Sequence, residues 1–190
     1  MDTYTTESLR LFFALWPDDA TRTALVQLQA PMQGRIVPYG NLHLTLAFLG
    51  QQPATVLADA QKILTHLSTP AQTLVLDRLG YFTRNRIAWI GSHVTPPGLP
   101  ALQQELADAL VANGISFNSQ PSFKPHITLA RDASLPPDMT FEPISWRTDQ
   151  VALVQSITDV HGSAYRVLAS RSLDVPCWVA EENNSSEPQN

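Results

Sequence analysis

Two short stretches of this chain carry the same series of residue types. NLHLTLAFLG, residues 41–50, contains His43 and Thr45. KPHITLAR, residues 124–131, contains His126 and Thr128, 83 positions further on. Both read His, aliphatic, Thr, Leu, Ala, and both have the alternation of a half-buried strand. Residues two apart on a strand share a face and stand roughly 7 Å apart. A His and a Thr so placed can address one small anion. Imidazole titrates near pH 6.5, so a pair can hold one neutral ring and one charged ring together at about neutral pH. The neutral ring takes a proton from a nucleophile and the charged ring gives one to a leaving oxygen. Thr hydroxyls can donate to the non-bridging oxygens of a phosphate. Phosphodiester cleavage requires these parts and no metal. Core packing accounts for the repeated Leu, but not for a repeated His-x-Thr on the opposite face. From residue types alone, the two His are interchangeable as acid and base.

Strict alternation makes further assignments. His43, Thr45 and Ala47 share the site face, as do His126, Thr128 and Ala130. Leu44, Leu46, Phe48, Ile127 and Leu129 then point into the core. Arg131 falls on the core side too, and reaches the site face only if its strand ends or bulges near Ala130.

The elements that must present these strands follow from the rest of the pattern. LRLFFALWP (9–17) reads as a buried strand. PDDATRTALVQLQAPM reads as a helix with an Asp cap and Leu25 and Leu28 on its apolar face. After NLHLTLAFLG, stopped by Gly50, comes a helix over 53–67 with Pro at its start. QTLVLDRLGYF and RIAWIGS (86–92) are two more strands. PGLPALQQELADALVANGI (97–115) is a helix closed by Asn-Gly. FKPHITLAR is a strand, and QVALVQSIT and SAYRVLAS pair around the turn DVHGS. The order β-α-β-α-β-β-α-β-β-β describes an α+β protein with helices packed on sheets, and the repeated motif gives it two related halves.

A chain of 190 residues suggests one domain or two small lobes sharing a core. Residues 1–8 read as a polar tail, 9–180 as the folded domain and 181–190 as a disordered polar tail. A net charge of −5 argues against coating nucleic acid by charge alone, yet ten of the twelve basic residues are Arg, suited to forked phosphate contacts. Cys177 is the only cysteine, which excludes an intrachain disulfide and a cysteine-rich zinc site. No apolar run is long enough to span a membrane and no signal pattern is present. A cytoplasmic protein is the simplest expectation. Asp159 and His161 have metal-compatible spacing without a supporting cluster, so a turn is the better account. His66 and His93 read as surface residues, and Cys177 as packed. Arg84 and Arg86, beside Tyr81 and Phe82, fit either a basic, aromatic rim for an RNA end or a solvated turn.

With HLTL at 43–46 and HITL at 126–129, the chain resembles the 2H phosphoesterase superfamily, whose signature is a paired H-x-T-x. Within it, the chain most resembles the bacterial and archaeal RNA 2′,3′-cyclic phosphodiesterases, also called 2′-5′ RNA ligases. LRLFFAL, RIAWIG and SAYRVL sit in that family's order. The resemblance implies a bilobal α+β fold in which two pseudo-symmetric halves, with antiparallel sheets, line a central cleft and helices pack outside. It implies hydrolysis of a terminal 2′,3′-cyclic phosphate to a 2′-phosphomonoester. His43 is then the proton donor, His126 the proton acceptor, and Thr45 and Thr128 hold the phosphate. Arg131 and Phe48 contact the substrate. No cofactor is implied. The expected partners are RNA ends or nucleoside 2′,3′-cyclic phosphates, met by a monomer. Two other readings use the same residues: a ligase joining a cyclic end to a 5′-hydroxyl through a 2′-5′ bond, and an RNA-end binding module without chemistry. No Walker-type phosphate loop or ligase lysine motif supports ATP-dependent ligation.

Overall fold

The structure is a computed structural model that describes residues 8–119, 122–159 and 162–174. His161, Cys177 and Trp178, most of the first polar stretch, the centre of the DVHGS turn and the last polar stretch lie outside the described residues. So do the side chains of Thr158 and Asp159.

Among the described residues, ten strands and three α-helices form in the order β1 (Ser8–Leu15), α1 (Asp19–Gln29), β2 (Arg35–Ile36), β3 (Leu44–Pro53), α2 (Leu57–His66), β4 (Gln72–Leu76), β5 (Arg78–Phe82), β6 (Ile87–Gly91), α3 (Gly98–Ala112), β7 (His126–Arg131), β8 (Ile144–Thr148), β9 (Gln150–Asp159) and β10 (Gly162–Ser172). The α+β class and all three helices agree with the sequence reading. Asp18 caps α1 by accepting the Thr21 N–H at 2.7 Å. Asn113 and Gly114 end α3, the latter at φ +66°.

Three expectations need correction. QTLVLDRLGYF is two strands, because the chain leaves one sheet for another at Asp77. Among the described residues β4 pairs with β8 alone, while β5 joins the main sheet. The strand that follows His43 does not stop at Gly50. That glycine takes φ +70° and β3 continues to Pro53. β2, only two residues long, and β8, a short alternating ISWRT whose partner β4 lies far back in the chain, were not among the expected strands.

The main sheet runs β10-β9-β1-β3-β7-β6-β5, with β2 also on β7. Its centre divides it into two halves of related build. In one, β1 and β3 are antiparallel neighbours separated in sequence by α1; in the other, β6 and β7 are separated by α3. Each helix lies against the other half's motif strand, α1 on β7 and α3 on β3. One face of the sheet holds the core. Leu11, Phe13 and Leu15 of β1, Leu44 and Leu46 of β3, and Ile127 and Leu129 of β7 pack there with Leu25 and Leu28 of α1, and Leu102, Leu106 and Leu110 of α3. Trp146 of β8 fills the same layer and is almost fully buried. The opposite face has a smaller cluster of Phe12, Ala14, Ala152 and Val154, against which Trp16, Phe48 and Tyr165 pack. The cleft is on this second face.

Candidate active site

β3 and β7 meet through one residue pair, Leu44 with Ile127. These are the corresponding residues of HLTL and HITL. Antiparallel pairing at this point sets His43 on the Thr128 side and Thr45 on the His126 side. His43 and His126 are then diagonal neighbours, a relation that separates residues by roughly 7–8 Å in a regular pair. Beyond the pair the strands part, and β2 takes over the free edge of β7, with Arg35 opposite Arg131 and Ile36 opposite Ala130. A wedge opens between β3 and β7.

Both motif strands bulge at the same place. On β3, Phe13 pairs with Ala47 and Ala14 with Thr45, which leaves Leu46 without a partner on β1. On β7, Ala88 pairs with Ala130 and Trp89 with Thr128, which leaves Leu129 without one on β6. An extra residue reverses the alternation beyond it. Leu46 and Ala47 are both buried, as are Leu129 and Ala130. Ala47 and Ala130 therefore belong to the core side, not the site face that strict alternation gives them. Phe48 and Arg131 are half-buried and line the wedge with His43, Thr45 and Thr128. Phe48 is thus not a core residue, and Arg131 reaches the cleft through the bulge that the sequence reading made its condition.

The wedge is a cavity of about 590 Å³. Its charged lining residues are Arg10, Arg35 and Arg131, and no carboxylate is among the described residues that line it. Asn41, Phe12, Tyr165, Ser156 and Ser163 complete much of the wall. His126 is not part of this wall; it stands at its margin, two residues before Thr128. Sequence reasoning missed Arg10, Arg35, Asn41 and Tyr165, which come from strands and turns without a motif. Only Asn41 had a signal, since it sits two residues before His43 as Lys124 does before His126.

Those two positions do the same work. His43 Nδ1 donates to Asn41 O at 2.6 Å, and His126 Nδ1 donates to Lys124 O at 2.7 Å. A carbonyl can only accept, so the proton of each neutral ring is on Nδ1, and Nε2 carries the lone pair. His43 Nε2 accepts from Thr45 Oγ1 at 3.1 Å. Phe12 lies 4.9 Å from the His43 ring, Tyr165 meets it edge-on at 5.2 Å, and Trp16 stacks at 6.1 Å. Phe82 and Trp89 lie edge-on to His126 at 5.1 and 6.1 Å. Burial among these rings pushes the His43 pKa down to about 4, assisted by the charges of Arg131 and Arg22. Burial, with Arg131, lowers that of His126 too. In the free protein both rings are held neutral, poised to accept protons.

The remaining candidates fall elsewhere. His66 is exposed at the end of α2, and His93 is exposed and paired with Asp77 at 3.1 Å. Arg84 and Arg86 are exposed on the β5–β6 turn. No group of His, Cys, Asp and Glu suited to a metal occurs among the described residues. A second concavity of about 530 Å³, near Asp77, Tyr81 and Met139, contains neither motif. Among the described residues, no helix is long and apolar enough to cross a membrane.

Comparison with known proteins bears on this geometry. The family model of the 2′-5′ RNA ligase superfamily matches residues 17–159, which include both motifs. The chain is 40% identical over 136 residues to the RNA 2′,3′-cyclic phosphodiesterase of Escherichia coli, covering 67% of this chain and 74% of that protein. It is 33% identical over 183 residues to the RNA 2′,3′-cyclic phosphodiesterase of Thermus thermophilus, covering 87% and 90%. The crystal structure of E. coli LigT complexed with 3′-AMP superposes with a TM-score of 0.76 at 33% identity, covering 87% of this chain and 98% of that one.

Proposed function

The chain belongs to the 2′-5′ RNA ligase superfamily, and from that premise we propose that it is an RNA 2′,3′-cyclic phosphodiesterase. The observation that carries this reading is the meeting of the two His-x-Thr strands at Leu44 and Ile127, which sets two imidazoles and two hydroxyls about one point. Relatives named for this activity reach 40% identity. The joining of RNA ends, which the same groups could perform in reverse, has no such support among them.

In this reading the terminal cyclic phosphate lies between Thr45 and Thr128, whose hydroxyls donate to its non-bridging oxygens. Arg131 offsets its charge, and Phe48 and Arg10 flank the nucleoside. His126 takes a proton from water through Nε2. The water oxygen bonds to phosphorus, the bond from phosphorus to the 3′-oxygen breaks, and His43 gives that oxygen its proton. A 2′-phosphomonoester and a 3′-hydroxyl result. His43 is neutral in the free protein near pH 7, so it acquires its proton as the anionic substrate binds. The substrate charge offsets Arg131 and raises the imidazole pKa. The acting unit in this reading is a monomer. A reducing, cytoplasmic setting suits a chain with a single cysteine.

The test is to incubate the protein with an RNA ending in a 2′,3′-cyclic phosphate, with EDTA and without ATP, and to identify the terminus formed. A 2′-phosphate, absent with H126A, supports the reading. A 3′-phosphate would reverse the regiochemistry, and loss of activity in EDTA would overturn the two-histidine mechanism.

A further inference from the structure

On the catalytic face of the sheet, beyond His126, β5 and β6 carry aromatic residues that the cavity does not use. The register sets them in rows. Arg78, Gly91 and His126 lie in one; Gly80, Trp89 and Thr128 lie in the next. The two glycines clear a space, and the indole of Trp89 occupies it. A Cβ on Gly80 would come within 2.1 Å of Trp89 Cζ2, and one on Gly91 within 3.0 Å of Cζ3. The ring is therefore laid across the sheet instead of standing away from it. Phe82 leans over it, with 5.2 Å between ring centroids and 30° between planes. The guanidinium carbon of Arg78 is 5.8 Å from the indole centroid. Phe82 and Trp89 are half-buried, Arg78 is exposed beside Trp89, and Arg84 is exposed two residues after Phe82 on the β5–β6 turn. The core lies on the other face, so core packing does not call for this tier of rings.

We propose that Phe82 and Trp89, flanked by Arg78 and Arg84, form a stacking subsite for a second nucleobase of a single-stranded RNA. This rests on the functional reading above and extends it from the terminal nucleotide to the strand. Three features carry it. The platform is continuous with the catalytic centre, because Phe82 touches His126 edge-on. It is separate from the cavity, whose lining contains none of these four residues. Its composition, aromatic faces with guanidinium groups at their rim, matches a base with its adjoining phosphates. Every base has a π-face, so such a platform favours RNA over a mononucleotide without selecting a sequence.

The experiment compares two substrates, a nucleoside 2′,3′-cyclic phosphate and a short RNA ending in the same nucleotide. The quantity read is the ratio of kcat/KM on RNA to kcat/KM on the mononucleotide. F82L should lower that ratio roughly tenfold, the worth of one stacked base. R78A should lower it several-fold and flatten its dependence on salt. Because the ratio cancels any shared loss at His126, it isolates strand binding from catalysis. The affinity of each variant for an RNA ending in a 2′-phosphate, relative to a nucleoside 2′-phosphate, should fall in parallel. A ratio unchanged in both variants, with the mononucleotide still hydrolysed, overturns the subsite alone. If the unsubstituted protein hydrolyses neither substrate, the functional reading falls and the subsite with it.

Discussion

Leu44 and Ile127 occupy the same place in the two motifs and are the one Cα pair that joins β3 to β7. A local twofold relation passes through that contact. It places two imidazoles and two hydroxyls symmetrically about it, and lets the strands diverge immediately afterward into a cavity. A longer ladder would have closed the wedge, and no pairing would have left the halves without a fixed spacing. The equivalent bulges at Leu46 and Leu129 then turn Phe48 and Arg131 into the opening. The halves supply chemically different residues at that one equivalent position. An aromatic face stands on one side and a cation on the other, which gives a symmetric frame a polarity suited to a nucleotide.

The two histidines should each be indispensable but separable. H43A and H126A are expected to lower kcat by roughly 10²- to 10⁴-fold, the usual worth of a general acid or base. A leaving group that needs no proton, such as p-nitrophenolate in an aryl phosphodiester, should rescue the donor variant and not the acceptor variant. Rescue of H126A in place of H43A would exchange the two roles.

The pairing of the two His-x-Thr segments was legible in the sequence, because His-x-Thr on a strand has few structural duties and its recurrence multiplies the signal. The three helices were also legible, since each has an apolar stripe and recognisable ends. The fate of Phe48, Ala47 and Ala130 was not. Alternation assigns faces only while the ladder is unbroken, and one extra residue exchanges them. The bulge comes from pairing with β1 and β6, which are far away in the chain. Arg10, Asn41 and Tyr165 escaped notice for a similar reason, because each becomes a wall of the site only when β1, the turn before His43 and β10 are brought together. β8 was passed over although ISWRT alternates, because it is short and its partner strand, β4, lies far back in the chain.

The depressed pKa of His43 has two measurable consequences. Its folded value of about 4 lies below the unfolded value near 6.5. Between these values the unfolded chain binds more protons, so stability rises with pH across that window and is fully present above it. Urea unfolding from pH 4 to pH 7 should show this rise, and H43Q should flatten it. Binding of sulfate, an anion that does not titrate here, should take up protons near pH 6. Calorimetry in two buffers of different ionisation enthalpy measures that uptake, and H43Q should diminish it. Proton release on binding would contradict the assignment.

Gln29 should govern the direction of Arg131. Its buried Nε2 donates to Val37 O at 2.9 Å and to Leu129 O at 2.8 Å, and Leu129 is the bulged residue. The Val37 N–H donates to the same Leu129 carbonyl at 3.0 Å, so the bulge is clasped from α1 and from the strand edge together. Q29L removes the side-chain donor and leaves buried carbonyls short of a partner, a loss of about 1–3 kcal/mol. With the bulge loosened, Arg131 should point less consistently into the cavity. KM should rise more than kcat falls, and R131M should add little further in the Q29L background. Additive losses on binding would show that Gln29 acts on stability alone.

Arg22 should add to the depression of the His43 pKa, behind burial and Arg131, without touching substrate. Its side chain is buried, and among the described residues no carboxylate forms an ion pair with it. Nε donates to Pro17 O at 2.9 Å and one terminal nitrogen donates to Tyr39 O at 2.6 Å. Its guanidinium carbon lies 4.8 Å from the Trp16 ring, which in turn stacks on His43. Pro17 follows Trp16, and Tyr39 begins the short turn that ends at Asn41, the acceptor for His43 Nδ1. One side chain thus ties together both supports of the imidazole. The charges and titratable groups facing His43 are Arg22 from α1, Arg131 and His126 from β7, and Tyr165 from β10, so Arg22 contributes one of two fixed positive charges. R22M should remove that charge while keeping much of the volume. The His43 pKa, followed by the imidazole proton resonances, should move up from its depressed value, and kcat should fall with little change in KM. R22K should restore the pKa but not the rate, because an ammonium cannot hold two carbonyls in the fork geometry. If the resonances of His43 titrate identically in R22M and the unsubstituted protein, Arg22 serves the fold and not the imidazole.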